Sequence, residues 1–214
     1  MEINKYIDHT VLKATTTPKD IEKLCNEAKE YKFYSVCVNG CYVPLCKKLL
    51  VNTDVKVAAV IGFPLGAMST EAKVYEAKKC IEDGANEIDM VINVGMLKAK
   101  EYDYVKEEIR QIKEAIGTNV LKVIIETCYL TDDEKVKACE LAVEAKADFV
   151  KTSTGFGTNG ATFEDVTLMK KTVGNRAKVK ASGGVKTYET AVKYIELGAE
   201  RLGTSSGIQI INKK

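Results

Sequence analysis

The chain has 214 residues with Lys+Arg 32 against Asp+Glu 30, so 32 − 30 leaves a net charge of +2 with the single histidine neutral, and nothing in that balance calls for nucleic acid as a partner. No apolar run approaches the roughly 18 residues that span a bilayer, and Met1–Thr10 lacks the basic-then-apolar layout of an export signal, so a cytoplasmic protein without a membrane partner is expected. Seven scattered cysteines without a C-x-x-C pair, and His9 as the only histidine, argue against a disulfide framework and against a zinc or His-rich metal site, leaving acid–base chemistry mainly to carboxylates, lysines, tyrosines or thiols.

Short runs rich in Val, Ile and Phe alternate with segments of helical periodicity. The order begins with a predicted strand at Tyr6–His9 and a helix at Pro18–Glu30, then Phe33–Val38 with Tyr42–Leu50, and Val55–Ile61 with Thr70–Asp83. It continues as Glu87–Ile92 with Tyr102–Ile116, Leu121–Glu126 with Asp132–Ala145, and Phe149–Thr152 with Phe163–Lys171. Val179–Ser182 with Thr187–Leu197 and a last strand at Arg201–Gly203, followed by a short helical turn near Ser205, complete the series. Thr131-Asp132-Asp133-Glu134 reads as a capping box, and Asp83-Gly84-Ala85 and Leu197-Gly198-Ala199 as helix ends with glycine in the left-handed position; Ala145-Lys146-Ala147 fills the equivalent place without glycine. Continuous apolar strands such as Val57-Ala58-Ala59-Val60-Ile61 belong to a parallel sheet covered by helices. Eight such βα units with no linker between them predict a single (β/α)8 TIM barrel over residues 1–214, with a doubly wound open sheet as the alternative.

Charged residues inside these strands stand out. Lys151 sits near the end of the apolar strand Phe149-Val150-Lys151, where burying an ammonium group costs several kcal/mol unless it is compensated. It is either an ion-paired or snorkelling lysine, or an amine whose lowered pKa lets it form a Schiff base. Lys180 repeats the anomaly on the next strand, and two ammonium groups that close lower the pKa of at least one. Lys178, on the same face, is expected at the barrel bottom with a structural role. Asp89, flanked by Ile88 and Met90, is a buried salt bridge to a lysine or a proton relay, and the two readings overlap. Asp8 reads as an interior carboxylate or as a turn or capping residue, and Glu126 as a barrel-mouth residue without an assigned role.

Two turns of small residues, Ser182-Gly183-Gly184 and Gly203-Thr204-Ser205-Ser206-Gly207, follow the last two strands, where barrels hold phosphate; a phosphorylated small substrate is expected there. Gly155-Phe156-Gly157-Thr158-Asn159-Gly160 matches the dinucleotide fingerprint, but Lys180 stands where that motif needs an acid. These glycines are read instead as a loop beside the ligand.

The segments Asp8-His9-Thr10, Glu87-Ile88-Asp89-Met90-Val91, Val150-Lys151-Thr152-Ser153-Thr154-Gly155-Phe156 and Val179-Lys180-Ala181-Ser182-Gly183-Gly184 together resemble the bacterial type of deoxyribose-phosphate aldolase, and the likeness runs from Tyr6 to Ile210. The resemblance implies a class I aldolase without metal or cofactor. It would cleave 2-deoxy-D-ribose 5-phosphate reversibly to D-glyceraldehyde 3-phosphate and acetaldehyde in deoxynucleoside breakdown, as a homodimer. It makes Lys151 the Schiff-base lysine, Lys180 the lysine that depresses its pKa and Asp89 the relay carboxylate. Gly183, Gly184, Ser205 and Ser206 would hold phosphate, with Asp8, Thr10, Cys37, Thr154 and Gly155 lining the same pocket; taken alone, Cys37 reads as a buried core thiol. Phe156 stands where some members have a basic residue, which leaves phosphate to backbone donors. Some members also carry a tail ending in tyrosine where this sequence reads Asn212-Lys213-Lys214, which leaves open any proton-transfer role for such a tail. Other readings are a transaldolase or fructose-bisphosphate aldolase type of Schiff-base barrel, a zinc aldolase, which the lone histidine disfavours, and a sugar-phosphate-binding barrel without catalysis.

Overall fold

The computed structural model describes residues 1–212, so Lys213 and Lys214 and any reading of the tail beyond them lie outside it. Eight parallel strands close into a barrel in chain order, β1 (Ile7–Thr10), β2 (Ser35–Asn39), β3 (Lys56–Ile61), β4 (Glu87–Val91), β5 (Val120–Ile124), β6 (Phe149–Lys151), β7 (Lys178–Ser182) and β8 (Ala199–Thr204), with β8 pairing back to β1. The (β/α)8 expectation holds and the open sheet is excluded.

The helices begin where the sequence carries caps. In α1 (Pro18–Glu30), Thr17 and Asp20 form a capping box with Pro18 in the first turn, and α6 (Asp132–Glu144) starts on the Thr131–Glu134 box. α2 (Val43–Leu49) and α3 (Thr70–Glu82) flank β3, and α5 (Tyr102–Ile116) buries Val105, Ile109, Ile112 and Ile116 along one face. A five-residue helix, α4 (Val94–Lys98), was not anticipated; it is too short to show a period, and Asn93 caps it by accepting from the Met96 amide at 3.1 Å. α7 (Phe163–Val173) runs two residues past its predicted end, α8 is Tyr188–Glu196, and the last turn begins not at Ser205 but at Gly207, as α9 (Gly207–Asn212). Lys146, just after α6, has a positive φ of +62°, as Gly84 (+111°) and Gly198 (+99°) do at the ends of α3 and α8.

The two sides of the barrel wall are chemically unlike. Outward strand residues such as Val36, Val57, Ile88, Val123, Val150, Val179 and Leu202 are buried under the helices with Ile21, Leu24 and Ile109, in a continuous apolar layer. Inward positions are set by the alternation of side chains along each strand. They carry Asp8 on β1, Ser35 and Cys37 on β2, Glu87 and Asp89 on β4, Lys122 on β5, Lys151 on β6, Lys180 on β7 and Arg201 on β8, all buried. A one-residue slip between β7 and β8 matters here: Val179 pairs with Ala199, but Lys180 pairs with Arg201, so both cations face inward. Glu200, skipped by the slip, meets Lys170 at 3.1 Å instead. Among the described residues no helix is long and apolar enough to cross a membrane.

Candidate active site

A cavity of about 920 Å³ opens at the C-terminal end of the barrel, where βα loops build the sites of such folds. Of the sequence candidates, Thr10, Lys151, Thr154, Gly155, Gly183, Gly184, Ser205 and Ser206 line it. Asp8, Cys37, Asp89 and Lys180 form the buried layer beneath, each fully excluded from solvent. Asp8 is therefore neither a turn residue nor a cap. Its carboxylate pairs with Lys180 and Arg201 and accepts from the Ser35 hydroxyl at 2.6 Å.

Lys151 and Lys180 lie side by side in register on β6 and β7. Both amines reach the same oxygen, Asp89 Oδ2, at 2.9 and 2.8 Å, while Lys122 takes Oδ1 at 2.7 Å. The two lysines do not share one fate. Burial pushes the Lys151 amine below its ordinary value and the charge of Lys180 pushes the same way, against Asp89. For Lys180 burial also acts downward, but Asp8 and Asp89 overcome it and hold the amine well above the ordinary lysine value. Lys180 thus stays an ammonium ion and Lys151 is the amine disposed to lose its proton. Asp89 remains ionised: burial raises its carboxyl, and Lys122, Lys151 and Lys180 more than reverse that. Burial, with Asp89 nearby, pushes the Cys37 thiol up, so it stays neutral.

Sequence reasoning missed Lys122 and Arg201 and saw no role for Glu87, although each is a charged residue of inward parity in an apolar strand, the signal that singled out Lys151. Lys178, as expected, lies at the bottom rim; its amine is exposed, over the Phe149 ring at 5.6 Å and 3.9 Å from Glu200.

Glu126 follows β5 with a left-handed backbone, φ +53°, which ends the strand two residues earlier than predicted. Its buried carboxylate accepts from the Thr154 amide at 3.2 and 3.3 Å and from the Thr154 hydroxyl, which in turn accepts from the Phe156 amide at 3.0 Å. This chain of hydrogen bonds shapes the loop that leaves Lys151. The fingerprint-like glycines serve the same loop, since a Cβ on Gly160 would stand 2.3 Å from the Gly183 carbonyl oxygen. Across the mouth, the Thr204 hydroxyl donates to Val185 O at 2.6 Å and accepts from the Ser206 amide at 2.9 Å, tying the two small-residue turns together and leaving the Ser206 hydroxyl for a ligand. Lys13, Lys23 and Lys186 also line the cavity, together with Asp20 and Glu27, so side-chain cations border it although Phe156 supplies none.

Fold and cavity define the class, a (β/α)8 barrel enzyme with its site at the C-terminal mouth. The family model described as DeoC/LacD family aldolase matches residues 3–213, and the chain belongs to that family. It is 62% identical over 211 residues to the deoxyribose-phosphate aldolase of Finegoldia magna, covering 99% of both chains. Among solved structures, it superposes on "QR15, an Aldolase" with a TM-score of 0.96 and 46% identity, covering 100% of this chain and 96% of that one. The deoxyribose phosphate aldolase from Aeropyrum pernix, described as having a unique tetrameric structure, gives a TM-score of 0.90 at 32% identity, with 98% and 89% covered.

Proposed function

We propose that this aldolase cleaves 2-deoxy-D-ribose 5-phosphate reversibly to D-glyceraldehyde 3-phosphate and acetaldehyde through a Schiff base on Lys151. One observation carries the reading: of the two amines that meet Asp89 Oδ2, only the one at the cavity, Lys151, is driven toward its neutral form. The neutral amine attacks the aldehyde carbon of the open-chain sugar, and loss of water leaves an iminium ion, the electron sink for cleavage. Asp89, through a water hydrogen-bonded to Lys180, accepts the C3 hydroxyl proton as the C2–C3 bond breaks. The bonding pair moves into the iminium, giving an enamine and releasing glyceraldehyde 3-phosphate. Protonation of the enamine at C2 and hydrolysis of the imine then release acetaldehyde and free the lysine. Gly183, Gly184, Ser205 and Ser206 receive the phosphate, with Lys186 adding charge, while Thr10, Thr154 and Gly155 border the sugar. The same reading carries a cytoplasmic homodimer without metal or cofactor, and a sedimentation mass of one or four chains would replace the dimer.

The test is hydride reduction with acetaldehyde followed by peptide mass mapping. One ethylated lysine, at Lys151, is expected. Ethylation at Lys180 would exchange the two lysines' roles, and scattered surface labelling would end the Schiff-base reading.

A further inference from the structure

The charged side chains inside the barrel form a closed circuit. Arg201 meets Asp8 and, at 2.8 Å, Glu87; Glu87 meets Lys122 at 2.5 Å; Lys122 meets Asp89 at 2.7 Å. Asp89 meets Lys180 at 2.8 Å, and Lys180 returns to Asp8 at 2.5 Å. Cations and anions alternate all the way round, so Arg201, Lys122 and Lys180 against Asp8, Glu87 and Asp89 sum to 3 − 3 = 0. Lys151 is the seventh group and stands outside the ring, touching Asp89 alone at 2.9 Å.

Protonated, Lys151 would leave this interior at +1; neutral, it leaves no net charge. An uncompensated buried charge costs several kcal/mol, and every ring cation has two carboxylates to hold its proton where Lys151 has one. The proton that leaves is therefore the one on Lys151. Arg201 is the fixed member, because a guanidinium does not deprotonate in a protein. The β7–β8 slip sets it inward, and neither Arg201 nor Glu87 lines the cavity.

We propose that Arg201 and Glu87 are positioning residues that set the proton count of the barrel interior, Arg201 closing the ring so that Lys151 is left as the free amine. The inference rests on the Schiff-base reading of Lys151. The other titratable groups around that amine are few. β1 brings Asp8, β2 Cys37, β4 Asp89, β5 Lys122 and β7 Lys180; β3 brings only Ala58 and Val60, and β8 brings Gly203 above Arg201. Glu126, beyond β5, is engaged with Thr154.

Charge counting predicts the outcome for each variant. Arg201→Met leaves 2 − 3 = −1 in the ring and recruits Lys151 as the missing cation. Glu87→Gln leaves 3 − 2 = +1 and drives the Lys151 proton off more readily. The double variant, at 2 − 2 = 0, returns Lys151 to its original condition. The experiment follows cyanoborohydride trapping of acetaldehyde on Lys151 as a function of pH in the full chain, with circular dichroism to verify folding. The midpoint should rise by about 1 to 2 pH units in Arg201→Met, fall in Glu87→Gln and return to near the parent value in the double variant. A purely structural role for Arg201 would lower trapping at all pH values without moving the midpoint, and that result overturns the proposal. So does a double variant whose midpoint stays displaced. If Arg201→Met does not fold, Glu87→Gln decides by itself, since an unmoved or raised midpoint refutes the charge count. Absence of trapping in the parent protein at every pH would instead sink the Schiff-base reading, and the ring's role with it.

Discussion

The barrel interior and the contact between α3 and α5 both bury lysine against carboxylate, and they respond in opposite ways. Lys73 and Glu108 meet at 2.9 Å with both side chains fully buried, and Lys73 also donates to Val91 O at 2.9 Å. Burial prevails on both partners there, lowering the Lys73 amine and raising the Glu108 carboxyl. In the ring the partners prevail over burial: Lys122 and Lys180 are raised, and Asp8 and Asp89 are lowered. The difference is the number of opposite charges each ion touches, two or more around the ring and one in the isolated pair. One partner in a dry site does not recover the desolvation of both ions, whereas two partners per ion do. Lys151 touches one carboxylate and so behaves like Lys73 rather than like its barrel neighbours. What separates these two lowered lysines is access, since only Lys151 lines the cavity.

The contrast can be broken most severely at Lys180. Lys180→Leu removes a ring cation, leaves 2 − 3 = −1 and makes Lys151 the replacement ammonium ion. Turnover should fall by about 10²- to 10⁴-fold near neutral pH, with partial recovery as pH rises. A near-normal rate would remove Lys180 from the account. At the isolated pair the expected loss is of stability, not chemistry. Glu108→Ala strands the Lys73 charge and should cost about 3–5 kcal/mol in denaturant unfolding, while the rate per folded molecule stays as it was. Lys73→Met combined with Glu108→Leu, which removes both charges, should recover most of that loss. A double variant as unstable as the single one would mean that the pair itself, rather than the stranded ion, supplies the stability.

How much of this was legible in the sequence follows from the range of each interaction. The helices of α1 and α6 could be read from Thr17-Pro18 and Thr131–Glu134, because capping acts within four residues. Lys151, Lys180 and Asp89 were legible because a charge in an apolar strand is anomalous on its own. The ring was not, because the Arg201–Asp8 and Arg201–Glu87 contacts join residues 193 and 114 apart and depend on barrel closure and on the slip between β7 and β8. Glu126 was legible as a barrel-mouth residue, but its part in holding the loop escaped for a different reason. Its left-handed backbone is imposed by the loop it holds, with no glycine or asparagine to mark it. α4 escaped because five residues carry no period.

The smallest expected effect sharpens the same contrast by acid. Asp8 and Asp89 have folded-state values below the 3.8 of an ordinary aspartate, so their contribution to stability is complete above that value and is lost as pH falls through it toward their depressed folded values. Glu108 has the opposite sign. Its folded value lies above the ordinary 4.5, so its contribution is present below about 4.5 and is lost as pH rises from there through the elevated folded value. Melting temperature measured from pH 3 to pH 7 should therefore fall at the acid end in the parent chain. Glu108→Gln, which also leaves Lys73 unpaired, should melt below the parent by a gap that narrows across the upper part of that range, and Asp89→Asn should flatten the acid limb. Each unit of pKa difference is worth about 1.4 kcal/mol, a few degrees in a chain of this size, so the two slopes are resolvable. Equal slopes in the two variants would mean that partner number does not separate the ring from the pair.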